Sequence, residues 1–179
     1  MVDPILQMQL SAYLIVVLLI TLLWQSVRKL TPLKYYGNVK EVNEYNRIKR
    51  VSGIYWGILF LIAMMTFIYV AFPSFYFIFI PLDFFHHPLI NLVGLIILKI
   101  SVLWIVVAQL QIDKELYKHS RNIESMSAME LVRYSEKMLL SGFLVFFVGV
   151  FITITNLFAI LFALIALFVY ANTFESKTY

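Results

Sequence analysis

The sequence predicts an all-α polytopic transmembrane protein: a single domain over residues 1–179, with four to five membrane helices and a helical hairpin near the C-terminal end. Three observations carry this. Hydrophobic residues make up 62% of the chain and charged residues 13%, with a mean hydropathy of +0.88. A water-soluble domain of this length cannot hide so much apolar surface. The apolar runs are long and continuous, without the ten-residue alternation of a transmembrane barrel. Finally, residues 138–171 hold no charge. As one straight helix they would extend roughly 50 Å, against a hydrocarbon core of ~30 Å.

The first span is read over residues 8–27, with Trp24 as an interfacial anchor. It is too long for a signal h-region and no basic segment precedes it, so it is expected to be retained as a helix. A basic segment follows, with Arg28, Lys29, Lys34, Lys40, Arg47, Lys49 and Arg50. Pro32 and Gly37-Asn38 break it locally, and residues 39–50 read as a surface helix. Arg47, Lys49 and Arg50 are the candidates to contact anionic headgroups or a partner, the alternative being that the basic run only enforces topology.

The second span, residues 53–72, ends at Pro73. Its Gly53 and Gly57 form a GxxxG spacing, a weak signal in an aromatic helix. Residues 72–85 are dense in Phe and Tyr and interrupted by Pro73 and Pro81, which predicts an interfacial or re-entrant connector. His86-His87 beside Asp83 is the one place that resembles a metal site. Adjacent histidines point opposite ways in extended chain and further ligands are wanting, so no metal is assigned. Cysteine is absent, which removes disulfides and thiolate chemistry.

The third span, residues 89–110, carries Lys99 near its middle. No span contains an acid to pair with it. Asn156, Thr153, Thr155, a backbone carbonyl, a lipid phosphate or a carboxylate of another subunit are the acceptors weighed. An intramembrane charge is a functional-site hypothesis by default, weighed here against a snorkelled, locally satisfied lysine. A polar connector follows, and Ser127 with Glu130 has capping-box spacing, so a helix is expected over 128–155. Gly142, Gly149 and Asn156 stand seven apart on nearly one face, a pattern for close helix packing. Asn156, polar and tolerant of left-handed backbone angles, is the expected turn before a fifth helix at 157–171. If residues 138–171 form a hairpin the two chain ends lie on opposite sides of the membrane, and if they form one helix the ends lie on the same side. Lys and Arg gather in the segments 28–52 and 111–137, which places these on the cytoplasmic or equivalent side and the N-terminus outside.

Val93-Gly94 to Gln109, then Val132-Arg133-Tyr134-Ser135 followed by Gly142, Gly149 and Asn156, resemble the isoprenylcysteine carboxyl methyltransferase family over roughly the C-terminal half. The resemblance implies a helical membrane fold and S-adenosylmethionine as methyl donor. Where that family has Arg-Asn-Pro or Arg-His-Pro, this chain reads Glu136-Lys137-Met138, and its terminal Glu pair is reduced to Glu175. Tyr117-Lys118-His119-Ser120-Arg121-Asn122 lacks the proline and the spacing. Catalysis along those lines would fall to Arg121, Arg133 or His119, and no catalytic residue is assigned.

Three functions are therefore weighed. The first is a non-catalytic subunit or scaffold of a larger membrane assembly, in contact with lipid and with other membrane subunits. The second is a methyltransferase of the family just named, with S-adenosylmethionine as its cofactor. The third is a small oligomeric channel lined by Lys99, Thr153, Thr155 and Asn156. A basic segment alone does not make a nucleic-acid site, and no such partner is expected.

Overall fold

A computed structural model describes residues 4–28, 39–82, 84, 87–120 and 127–174. Its elements are α1 (Pro4–Arg28), α2 (Val39–Ala71), a 3₁₀ helix (Pro73–Phe79), α3 (Pro88–Ser120), α4 (Ala128–Ile154) and α5 (Leu157–Phe174). All five α-helices are long and apolar enough to cross a membrane. The protein is an all-α polytopic integral membrane protein. Lys29, Pro32, Lys34, Gly37, Asn38, Asp83, His86, Arg121 and Glu175 lie outside the described residues, as do the side chains of Arg28, Lys40 and His119.

The helices run longer than their apolar cores. Nothing between Arg50 and Gly53 stops a helix, so the basic surface helix and the second span are one continuous α2 of 33 residues. Its length of about 50 Å exceeds the hydrocarbon thickness. Likewise α3 continues ten residues beyond Leu110, and most of the expected polar connector is helical. The overhangs support one another through Lys49–Glu136 (2.9 Å), Arg133–Glu44 (3.8 Å) and the Tyr134 hydroxyl donating to Gln111 (3.2 Å). At the same end the Trp24 indole donates to Asp113.

Helix α4 lies at the centre, packing against all four others, and half of its span is buried compared with 28% for α1, α3 and α5. Ser127 starts it with a complete capping box: its hydroxyl accepts from the Glu130 amide, and its own amide donates to the Glu130 carboxylate. At the far end Thr155 is left-handed (φ 40°) and its amide closes onto the Phe151 carbonyl. The chain then reverses into α5, which returns beside α2. The Tyr55 hydroxyl donates to the Ala166 carbonyl (2.8 Å) and Arg47 donates to the Thr173 carbonyl (2.8 Å). Residues 138–171 are thus a hairpin.

The left-handed residue is Thr155 rather than Asn156. Asn156 has a different task, because its Oδ1 accepts from the Ala159 amide (2.7 Å) and caps the start of α5.

Candidate functional site

Two polar features stand out against the apolar bundle. The first is the junction where the α4–α5 turn meets the connector after α2. The 3₁₀ helix Pro73–Phe79 turns Tyr76 inward and exposes Phe75, Phe77 and Ile78. Asn156 Nδ2 donates to the Tyr76 hydroxyl (2.8 Å) and to Met65 Sδ (3.3 Å), and the Tyr76 hydroxyl donates to the Ile154 carbonyl (3.1 Å). The Leu82 amide donates to Thr155 O (2.8 Å) and the Leu157 amide to Ile80 O (3.1 Å), forming a single antiparallel bridge between Pro81 and Asn156. Free backbone groups at a membrane helix end are costly, and this bridge satisfies four of them. Nearby, Gln7 donates to the Tyr69 carbonyl (2.8 Å), bringing the start of α1 to the end of α2. Asn156 is fully occupied in joining three segments.

The second feature is Lys99. Along α3 the buried positions Asn91, Gly94, Leu98, Ser101, Ile105, Ala108 and Ile112 form a repeat of three and four that faces α4 and α1, with Gln109 buried beside it. Lys99 follows the fully buried Leu98 and is rotated by about 100° from it, so it lies on the outer face with Leu92, Ile96 and Leu103. It stands eleven residues beyond Pro88, roughly 16 Å of helix rise. Among the described residues it makes no hydrogen bond or ion pair.

Thr153, Thr155 and Asn156 are all buried, and the Thr153 hydroxyl donates to the Gly149 carbonyl (2.7 Å). Lys99, on the exposed face of α3, is therefore not hydrogen-bonded to Thr153, Thr155 or Asn156.

Of the basic residues on α2, Arg47 and Lys49 are engaged with Thr173 and Glu136, while Arg50 is exposed. Gly142 and Gly149 lie in the α3–α4 seam: a Cβ on Gly142 would come 2.8 Å from Ile105, and one on Gly149 3.0 Å from Leu98. The matching half of that seam lies on α3, at positions not among the packing residues expected from the sequence. Gly94, Ser101 and Ala108 on α3 also stand seven apart, and all three are buried. That second small-residue repeat was a readable signal that α3 and α4 pair closely.

Gln109 is buried and Arg133 stands beside Glu44. His87 is exposed and accepts from the Leu89 amide through Nδ1 (3.3 Å). Among the described residues, no three His, Cys, Asp or Glu side chains gather as a metal site would require. Comparison of the chain with family models, with curated proteins and with solved structures gives no match.

Proposed function

We propose that this protein is a non-catalytic helical subunit, or scaffold, of a larger membrane assembly. The observation that carries the reading is the exposed Lys99, unpartnered among the described residues and near the middle of the apolar stretch of α3 from Pro88 to Leu110. A lysine at mid-bilayer costs roughly 2.5–3.5 kcal/mol on insertion scales. Snorkelling reduces that cost where an interface is within reach of the side chain, but about 16 Å of helix separates Lys99 from the Pro88 end. The ammonium is best satisfied by an acceptor brought to α3 from outside the chain. The basic helix ends face the cytoplasmic or equivalent side in this reading. Twelve of the fourteen Lys and Arg residues fall within residues 28–50 or 114–137, the two segments that hold the α1–α2 and α3–α4 connections.

Native mass spectrometry after gentle extraction from the protein's own membrane tests the proposal. A stoichiometric second polypeptide is the expected result. A solitary chain overturns it, and a solitary chain carrying a nucleoside-sized ligand would favour the methyltransferase reading instead.

A further inference from the structure

We infer that the outer face of α3 around Lys99 is a docking surface for a transmembrane helix of a different protein, one that presents an Asp or Glu at mid-bilayer depth. The inference rests on the subunit reading and specifies its partner. Leu92, Ile96, Lys99, Leu103 and Leu110 follow one another at intervals of four, three, four and seven. This is the spacing that keeps one stripe turned toward a supercoiled neighbour. The four apolar members are 48–66% exposed, so none of the described helices covers the stripe. Lys99 sits inside the stripe rather than at its edge. A neighbouring helix along the stripe would bury the ammonium, and a buried ammonium needs a hydrogen-bonding counter-charge.

The partner is not a second copy of this chain. None of its ten Asp and Glu residues falls within 4–40, 45–82, 84–112 or 137–174, so no span offers a carboxylate at the depth of Lys99. Charge complementarity therefore selects a different polypeptide. A single polar pair within an apolar stripe also fixes register, as a lone polar core residue does in a coiled coil. The carboxylate would set the axial position of the partner helix against α3.

Site-specific photocrosslinking of the full chain in its native membrane tests this, with a benzophenone amino acid at Ile96 or Leu103. Leu19 on α1 and Phe60 on α2, also exposed, serve as controls. Each probe is placed in the wild type and in the Lys99→Met and Lys99→Arg backgrounds, with Lys99→Gln replacing Lys99→Met should that variant fail to accumulate. A polypeptide adduct is expected at 96 and 103, with an Asp or Glu in the crosslinked apolar segment. Its yield should fall about tenfold or more in Lys99→Met and persist in Lys99→Arg.

Polypeptide adducts confined to Leu19 or Phe60, or unchanged by Lys99→Met, overturn the inference and leave the subunit reading standing. Phospholipid adducts alone at 96 and 103, with polypeptide at a control position, do the same and assign Lys99 to lipid. Absence of polypeptide adducts at all four positions overturns both.

Discussion

Gly94 and Thr153 meet at the level of the backbone: a Cβ on Gly94 would come 2.5 Å from Thr153 Oγ1 and 2.7 Å from its amide nitrogen. No side-chain rotation relieves the contact with the amide, so α3 and α4 would have to separate. Gly94→Ala is expected to cost about 1–3 kcal/mol, the range for overpacking. Gly57→Ala is the control, because nothing lies within 4 Å of that position. There the better helix propensity of Ala should leave stability unchanged or raised by up to about 1 kcal/mol. Thermal unfolding of both variants in one detergent gives the comparison.

Asn156 joins the turn, the connector and α5 through opposite ends of one amide. Asn156→Leu removes the cap on α5 and the bond to Tyr76, each of which contributes about 1 kcal/mol. Asn156→Ser keeps a capping oxygen but is too short for Tyr76, so it should recover about half of the loss. Combining each with Tyr76→Phe separates the two contributions. The Asn156–Tyr76 coupling should disappear in the Ser variant, and a coupling that persists would place the effect elsewhere.

Ile80 ends the 3₁₀ helix in a left-handed conformation, φ 51° and ψ 73°, with half of its side chain exposed. A β-branched residue there is strained by about 1–2 kcal/mol, and glycine removes the strain at some cost in chain entropy. Ile80→Gly is therefore expected to hold stability or raise it by up to about 1 kcal/mol. Ile78→Gly, similarly exposed but without positive φ, should lower it. Denaturant titration of the pair reads the difference in sign.

The hairpin and the spans were legible because they follow from hydrophobicity and length, which lipid enforces on every residue. The Ser127 cap was legible because its two partners are three residues apart. Tyr76 as the partner of Asn156 was not, since the pair is separated by 80 residues and arises only once the connector folds back. Lys49–Glu136 is similar, at 87 residues apart. The packing role of Gly94 was less plain, because its repeat with Ser101 and Ala108 mixes three residue types. For Lys99, the sequence showed a charge without an acid nearby, but whether it faced the bundle or lipid depended on which α3 face packs against α4.

The hairpin also fixes the relation between the chain's later segments and the membrane. Because α5 runs antiparallel to α4, a position beyond α5 should share a side with the start of α4 and not with the 3₁₀ connector. The chain has no cysteine, so single cysteines report without background. Lys137→Cys, Tyr179→Cys and Phe84→Cys, the last at a side chain 94% exposed, can be labelled in sealed vesicles with a membrane-impermeant maleimide. Positions 137 and 179 should react from the same side, the cytoplasmic one, and position 84 from the other. Reversal of all three would keep the hairpin and overturn the orientation drawn from the basic segments. Labelling of 179 together with 84 would mean that α5 does not return across the bilayer, and the Arg47–Thr173 and Tyr55–Ala166 bonds would then have to break in the membrane.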